Sequence, residues 1–274
     1  MWKPSYLSLL ETGELRKRAE RVEGLLRSCR LCPRLCGIDR TSGETGFCRT
    51  GRLARVASYG PHFGEEAPLV GTNGSGTIFF SSCNLLCSFC QNHEISHLRK
   101  GEDVDARTLA AMMMDLAERG CHNINLVSPS HVVGQILEAV SIAAASGLDV
   151  PIVYNSGGYD SLEALALLED VVDIYMPDFK FWDEEPARRF CAARNYRNAA
   201  CTAVIEMHRQ VGDLVMDEKG IALRGLLVRH LVMPGGLAGT PGVMGFLAEN
   251  VSRDTYVNVM DQYHPCFRAG QDPL

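Results

Sequence analysis

An alternation of short apolar segments with amphipathic ones begins at Thr77 and limits the possible folds more than any other feature of the sequence. The apolar segments predict six strands, at residues 76–82, 123–129, 150–158, 171–180, 225–236 and 255–265. The intervening stretches have helical periodicity, at residues 106–120, 134–147, 160–170 and 197–211, and a further helix is predicted to begin at Thr240. Because strands that alternate with helices form parallel sheets through right-handed crossovers, we predict an α/β fold, a partial (β/α)6 parallel barrel.

Polar residues gather directly after the predicted strands. They are Cys83 to Cys90, Ser128 to His131, Asn155 and Ser156, Asp178 and Lys180, and Gln262 to His264. The carboxyl ends of the strands form the functional face of an α/β barrel, because the loops that follow the strands meet there. The sequence therefore predicts one functional face at that edge of the sheet.

A small extension precedes the predicted barrel. It contains a charged helix at about residues 13–27, a cysteine-rich stretch at 29–48, and a strand followed by a loop at 51–76. We accordingly divide the chain into two predicted units. Residues 1–75 form an N-terminal helix with a metal-binding extension, and residues 76–274 form the barrel.

Composition and charge exclude several classes of protein. The 274 residues are 46% hydrophobic and 22% charged, which suits a globular chain with a full core. The formal net charge of −6 indicates neither nucleic acid nor an anionic membrane as a partner. The N-terminus lacks the apolar segment of a signal peptide, and no run of about 18 apolar residues occurs. We expect a cytoplasmic protein.

The chain contains eleven cysteines, and in a reducing compartment they need a role other than disulfide formation. Four of them, Cys121, Cys191, Cys201 and Cys266, are scattered, and we expect these to be small buried apolar side chains. The other seven fall between residues 29 and 90. Those seven are the candidate metal ligands.

Three of these seven cysteines, Cys83, Cys87 and Cys90, form one group. They supply three ligands, whereas a structural metal site uses four. Thiolates at these gaps can hold one [4Fe–4S] cluster, and three ligands leave one iron with an open coordination position. The amino and carboxylate groups of S-adenosylmethionine (SAM) suit that position. The alternative interpretation is a degenerate zinc site.

The C-x3-C-x2-C spacing, with Phe89 before the last cysteine, resembles the signature of the radical SAM superfamily. Other stretches resemble the pyruvate formate-lyase activating enzyme group, and more narrowly its uncharacterised stand-alone branch with an N-terminal cysteine knot. These stretches are GSGTIFFSSCNLLCSFCQN, YNSGGYD, DIYMPDFKF, LLVRHLVMPG and VNVMDQY. The resemblance covers about residues 29 to 265.

The resemblance implies roles for individual residues. Cys83, Cys87 and Cys90 would bind the cluster. The residues that would contact SAM are Phe89, Ser128, His131, Asn155, Ser156, Asp178, Lys180 and Arg229. Among them, the resemblance places Phe89 beside the adenine, and it places Asn155 and Ser156 beside the methionine or ribose. For Asp178, Lys180 and Arg229 the alternative is an internal ion pair that closes the barrel.

The resemblance also implies an activity. A radical SAM enzyme, here an oxidoreductase similar to the activating enzymes, cleaves SAM to a 5′-deoxyadenosyl radical that abstracts hydrogen from a substrate. A peptide or protein substrate is implied, such as the glycine of a glycyl radical enzyme. The cleavage also requires a low-potential electron donor, flavodoxin or ferredoxin. Two other functions stay open, an iron–sulfur electron carrier without radical chemistry and a zinc-ribbon binding module fused to an inert barrel.

The first group of cysteines, Cys29, Cys32, Cys36 and Cys48, offers four thiolates and so predicts a closed second metal site. Zinc is a common occupant of such sites, but its ligands usually come as two matched pairs. Three ligands within eight residues and one distant partner are also typical of an auxiliary iron–sulfur cluster. Both metals stay open, and we expect a structural or electron-relaying role.

Overall fold

A computed structural model describes residues 2–270 of the chain. Residue 1 and residues 271–274, which the two predicted units include, lie outside the described residues. The units themselves stay a prediction.

A single twisted sheet organises the described residues. Its strands are β1 (Ala54–His62), β2 (Ser75–Phe80), β3 (Glu102–Val104), β4 (Ile124–Val127), β5 (Ile152–Ser156), β6 (Ile174–Pro177), β7 (Val215–Met216), β8 (Ala222–Leu231) and β9 (Tyr256–Met260). Across residues 2–270 the strand order is β3-β1-β2-β4-β5-β6-β8-β7, and β9 also pairs with β8.

Six of these strands run parallel to one another in chain order, namely β2, β4, β5, β6, β8 and β9. They correspond to the six strands that the apolar segments predict. The residues of β4, β5 and β6 are almost entirely buried, as expected where helices cover the outer face and the barrel interior lies inside, whereas those of β9 are partly exposed. The prediction of an α/β fold built on a partial parallel barrel is confirmed.

Among the described residues, two α-helices precede the sheet and the others lie between its strands. They are α1 (Tyr6–Glu11), α2 (Glu14–Arg27), α3 (Ala67–Val70), α4 (His93–Ser96), α5 (Ala106–Glu118), α6 (Val133–Ala145), α7 (Leu162–Leu168), α8 (Glu184–Cys191), α9 (Tyr196–Val211) and α10 (Thr240–Phe246). Side-chain caps begin two of them, because Asp105 accepts from the backbone of Thr108 and Ser161 from that of Ala164. No helix within residues 2–270 has the length and apolar character needed to cross a bilayer.

The N-terminal segment packs directly on the barrel. Strand β1 pairs antiparallel with β2 and with β3, which extends the sheet beyond its parallel part. Helix α2 lies against α6 so closely that a Cβ at Gly134 would come within 2.1 Å of the Val22 side chain. The cysteine-rich stretch between α2 and β1 is therefore held close to the barrel.

Candidate functional site

A cavity of about 270 Å³ lies at the carboxyl ends of the parallel strands. It is lined by the three barrel cysteines and by seven of the eight residues predicted to contact SAM. These are Cys83, Cys87, Cys90, Phe89, Ser128, Asn155, Ser156, Asp178, Lys180 and Arg229. Residues after β9 complete the wall, among them Gln262, Tyr263 and His264. The structure thus brings the predicted strand-end residues together at one place.

The cysteine loop follows β2 and is held by backbone hydrogen bonds to the end of α8. The amide of Leu86 donates to the carbonyl of Cys191 at 3.2 Å, and the amide of Ser88 donates to that of Phe190 at 2.8 Å. Ser82 begins the loop in the left-handed region with a φ of 73°, an unusual conformation for a residue other than glycine. The loop is therefore fixed by a helix that the sequence pattern does not predict.

The three barrel thiols lie in a buried environment. Burial raises the pKa of Cys83 to about 12 and also raises that of Cys90. The pKa of Cys87 is raised as well, first by its contact with the thiol of Cys191 at 3.0 Å and then by burial. Without metal these groups are neutral thiols, and a bound metal must displace their protons.

Cys191 is one of the four cysteines expected to be a small buried apolar side chain. It is fully buried, and Cys121 is buried too, whereas Cys201 and Cys266 are only partly buried. The contact between Cys191 and Cys87 is a feature that the sequence does not indicate. The two residues are 104 positions apart, and no spacing pattern relates them.

Charged side chains form a connected network that lines the same cavity. Asp178 accepts from Nζ of Lys180 at 2.6 Å and from Nε of Arg229 at 2.8 Å. Arg229 also donates from Nη2 to Oδ1 of Asn155 at 2.9 Å. Burial alone would raise the pKa of Asp178, but Arg229 and Lys180 outweigh it and hold that pKa at about 2. The carboxylate is therefore ionised between two cations.

Two acidic residues that the sequence analysis did not single out extend this network. Nη1 of Arg229 lies 3.6 Å from Glu65 and 3.8 Å from Glu66, in the loop between β1 and α3. One carboxylate oxygen of each is buried without a hydrogen-bond partner among the described residues. Burial raises the pKa of Glu65 to about 7 against the opposing effect of Arg229. Their adjacency in the sequence was the only available signal.

The other lining residues include the aromatic ring of Phe89 and the hydroxyl groups of Ser156 and Tyr263. Phe89 packs edge-on against Phe181 and Tyr263, with ring centroids 6.0 and 6.4 Å apart. Ser156 donates its hydroxyl to Asp160 at 2.7 Å, so it also shapes the turn after β5. The hydroxyl of Tyr263 is buried and has no partner within residues 2–270. A ligand in the cavity would give that hydroxyl the partner that buried polar groups need.

His131, the eighth residue predicted to contact SAM, lies against a different cavity. Its Nε2 is 3.0 Å from the carbonyl of Ser81, and burial together with Arg40 lowers its pKa to about 4. The cavity it lines measures only about 10 Å³. All four N-terminal cysteines line this cavity as well, namely Cys29, Cys32, Cys36 and Cys48. Among the described residues, no three His, Cys, Asp or Glu side chains are arranged to hold a single metal ion.

Comparison with known families agrees with the barrel site. The family model of the radical SAM superfamily matches residues 77–217, more than half of the 274 residues. The chain belongs to the radical SAM superfamily. It is also 30% identical over 276 residues to an uncharacterized protein of Methanocaldococcus jannaschii, MJ0674, covering 97% of this chain and 75% of the relative.

Three solved structures are similar to part of the chain. TYW1 with a lysine-pyruvate adduct bound is 11% identical with a TM-score of 0.43, over 70% of this chain and 67% of TYW1. SuiB of Streptococcus suis is 10% identical with a TM-score of 0.46, over 66% of this chain and 38% of SuiB. The protein anSMEcpe with bound AdoMet is 9% identical with a TM-score of 0.47, over 66% and 48%. The similarity to these three structures concerns the fold of part of the chain.

Membership of the radical SAM superfamily makes the chain a radical SAM enzyme. The family implies a [4Fe–4S] cluster and SAM as cofactors. The residues that line the barrel cavity are of the kinds that both groups bind, namely three thiols, charged and amide side chains, and the unpartnered hydroxyl of Tyr263.

Proposed function

We propose that Cys83, Cys87 and Cys90 hold the [4Fe–4S] cluster of this enzyme and that SAM binds in the adjoining cavity. The enzyme would then abstract a hydrogen atom from a peptide or protein, in the manner of the glycyl radical activating enzymes. The observation that carries the proposal is the single cavity of about 270 Å³ that the three thiols share with the charged network. When bound, the cluster supplies one electron that cleaves SAM into methionine and a 5′-deoxyadenosyl radical.

The polar wall supplies the contacts that would orient SAM. Lys180 and Arg229 present positive charge to the cavity, which suits the carboxylate of the methionine moiety. Asp178 holds both cations in place through hydrogen bonds of 2.6 and 2.8 Å. Asn155 is fixed by Arg229 and keeps its amide group at the cavity wall, where it can bind ribose or methionine.

The apolar wall would keep water away from the reacting atoms. Phe89 lies between two cluster ligands in sequence and is braced by Phe181 and Tyr263, so its ring is held in a defined position. Leu231, Met233 and Met260 add apolar surface at the ends of the last strands. Such exclusion of water suits a radical, because side reactions with solvent are suppressed.

The substrate class and the electron donor are proposed on the resemblance to the activating enzymes. A peptide or protein would approach across the cavity mouth formed after β9, and a flavodoxin or ferredoxin would supply the electron. A second metal, iron–sulfur or zinc, is proposed for Cys29, Cys32, Cys36 and Cys48.

Release of 5′-deoxyadenosine tests the proposed activity. Anaerobic protein reduced with dithionite and given SAM should form 5′-deoxyadenosine, and a Cys87→Ala variant should form none. Cys121→Ala is the matched control, because Cys121 is a buried core cysteine that does not line the cavity. This variant should form as much 5′-deoxyadenosine as the parent. If the protein binds iron but releases no 5′-deoxyadenosine, it is an electron carrier and the proposal is wrong.

Deuterium transfer tests the substrate class. A peptide or protein substrate labelled at the abstracted position should pass deuterium into 5′-deoxyadenosine, which mass spectrometry detects. Transfer from a small metabolite, with no transfer from any protein, would contradict the proposed substrate class while leaving the radical chemistry intact.

A further inference from the structure

The small cavity beside α2 is lined by an unusual combination of side chains. Four thiols meet two arginines there, with Phe47 and leucines completing the wall. The four thiols belong to Cys29, Cys32, Cys36 and Cys48, and the arginines are Arg34 and Arg40. The backbone at Gly46 lies so close to one of the sulfur atoms that a Cβ there would come within 2.8 Å of Sγ of Cys36.

Arg40 is one of the most buried charged residues of the described chain, with 1% of its surface exposed. Its Nε and Nη2 donate to the carbonyl of Gly51 at 3.1 and 2.9 Å, and Nη1 donates to that of His131 at 2.8 Å. Nη1 also lies 3.9 Å from Sγ of Cys29. The carbonyls satisfy its hydrogen bonds but leave its positive charge uncompensated.

Arg34 has a similar environment. Its Nε donates to the carbonyl of Asn84 at 3.0 Å and its Nη1 to that of Ala192 at 2.5 Å. Its guanidinium lies 3.6 Å from the ring centroid of Phe47. Its Nη2 is buried and has no acceptor within the described part of the chain.

Neither guanidinium has a carboxylate partner in residues 2–270, where their contacts are to carbonyls, aromatic rings and sulfur. Buried charges in proteins are almost always paired, since an isolated one costs several kcal/mol. The groups that line the same cavity as Arg40 and can become anionic are the four thiols. As thiols they are neutral, and only a bound metal makes all of them anionic.

We propose that Arg34 and Arg40 are the counter-charges of a metal centre that Cys29, Cys32, Cys36 and Cys48 form as thiolates, an inference that rests on the second metal proposed above for these four cysteines. Four thiolates around Zn²⁺ or around a [4Fe–4S]²⁺ core both leave two negative charges. Two guanidinium groups on the same cavity neutralise them. The arginines are thus positioning residues for an anionic metal–thiolate centre, whichever of the two metals occupies it.

The centre adjoins the barrel cysteines through one residue. Arg34 binds the backbone carbonyl of Asn84, and the side-chain oxygen of Asn84 lies 3.9 Å from Sγ of Cys83. Asn84 is buried and also donates to the carbonyl of Tyr159 at 2.6 Å. Asn84 therefore lies between the two groups of cysteines, which are neighbours in the folded chain.

The first test removes the barrel cluster so that any remaining metal reports on the N-terminal site. The full-length Cys83→Ser/Cys87→Ser/Cys90→Ser variant is purified anaerobically and its iron, acid-labile sulfide and zinc are measured. We expect either about four iron with four sulfide or about one zinc per chain. Adding Cys32→Ser should abolish that metal. A triple variant that binds neither metal after reconstitution would overturn the proposal, whether or not the barrel site performs radical chemistry.

The second test addresses the counter-charge. In the same background Arg40→Met should weaken metal binding about 10- to 100-fold in chelator competition, as loss of an outer-shell partner typically does. Arg40→Lys retains the charge and should recover most of that affinity. Arg55→Met is the matched control, because Arg55 also donates through Nε and Nη2 to one carbonyl, that of Gly101, and does not line this cavity.

Two outcomes would overturn the role of the arginines. One is an Arg40→Met protein that binds metal as tightly as its parent, and the other is an Arg40→Lys protein as weak as Arg40→Met. If circular dichroism shows that Arg40→Met does not fold, Arg34→Met and Arg34→Lys replace it with the same expectation. Arg34 is only partly buried, so its substitution leaves the core intact.

Discussion

The two cysteine-lined cavities of this protein differ in size and in charge. The barrel cavity has a volume of about 270 Å³, offers three thiols, and carries both signs of charge in Asp178, Lys180 and Arg229. The N-terminal cavity has a volume of about 10 Å³, offers four thiols, and carries only the positive charges of Arg34 and Arg40. Room for an exchangeable ligand exists at the first cavity alone.

The difference shows how a protein separates a reactive metal site from a closed one. A missing ligand matters only where space and complementary groups can receive a substrate, and the barrel cavity has both. Four thiols without an exchangeable position, as at the N-terminal cavity, need instead positive charge that compensates the thiolates and a cavity without spare volume. Substitutions at one cavity show whether the other cavity keeps its metal and its chemistry.

Exchange of one ligand at each cavity should have the largest effect. Cys87→Ser should lose the barrel cluster and all cleavage of SAM while retaining the N-terminal metal. Cys32→Ser should lose the N-terminal metal but retain dithionite-driven cleavage, because a small reductant reaches the barrel cluster directly. Iron, sulfide and zinc analysis together with 5′-deoxyadenosine release measures both.

The comparison fails if the two variants behave alike. In particular, a Cys32→Ser protein that holds its barrel cluster yet cannot cleave SAM with dithionite would place the N-terminal centre in the radical step. A lower turnover with flavodoxin or ferredoxin alone would instead indicate an electron-relaying role.

Removal of the carboxylate between the two cations of the barrel cavity should have the next largest effect. Asp178→Asn leaves Lys180 and Arg229 without the group that aligns them, and SAM should bind on the order of tenfold more weakly or worse. Equilibrium dialysis of the holoprotein measures this. Asp115→Asn, on the surface pair with Arg119, should leave the affinity unchanged. Equal affinities for all three proteins would remove Asp178 from the site.

Buried Glu65, which lies beside Arg229 of the barrel cavity, predicts a pH effect on stability. The pKa of Glu65 is about 7 in the folded protein, above its ordinary value of 4.5. Its contribution to stability is therefore fully present below about pH 4.5 and is lost as the pH rises through 7. Glu65→Gln should thus be more stable than the parent at pH 8, on the order of 1–3 kcal/mol, and nearly equal to it at pH 5.

Anaerobic urea unfolding of the holoprotein at pH 5 and pH 8 measures the change. Glu20→Gln is the control, because Glu20 lies in an exposed pair with Arg16, and it should shift the free energy of unfolding by less than about 0.5 kcal/mol at either pH. A Glu65→Gln protein that is less stable at pH 8 than at pH 5, relative to the parent, would contradict the direction of the shift.

The smallest effect concerns Cys191, which contacts Cys87 at 3.0 Å. In metal-free protein treated with diamide, these two thiols should lose their hydrogens to the oxidant and form a disulfide. Thiol counting and peptide mass spectrometry should find this bond, and Cys191→Ser should lack it. With the cluster bound, Cys191→Ser should have normal iron content, and a loss of iron would mean that Cys191 supports the cluster itself.

Much of the fold could be predicted from local pattern. The six parallel strands lie where apolar segments occur, and α5, α6, α7 and α9 lie where helical periodicity occurs. Helix α10 begins at Thr240, as predicted. These features depend on neighbours within a few residues, so a single sequence is sufficient to find them.

The antiparallel edge of the sheet and helix α8 could not be predicted in the same way. Strand β3 has only three residues and becomes a strand because β1 lies beside it. Helix α8 matters because its last residues accept hydrogen bonds from the cysteine loop. Such pairings join distant segments, and no local pattern encodes which segments meet.

The candidate sites show the same division. The spacing of Cys83, Cys87 and Cys90 resembles the radical SAM signature. The strand-end positions of Asn155, Asp178 and Lys180 predict that these side chains share one edge of the sheet, because parallel strands bring their carboxyl ends together. The contact of Cys191 with Cys87, the approach of Glu65 to Arg229, and the burial of Arg40 among thiols follow only from the packed chain. Functional residues that follow one another along a strand or loop can be predicted from the local sequence. Burial and charge pairing between distant segments arise only when the core has formed.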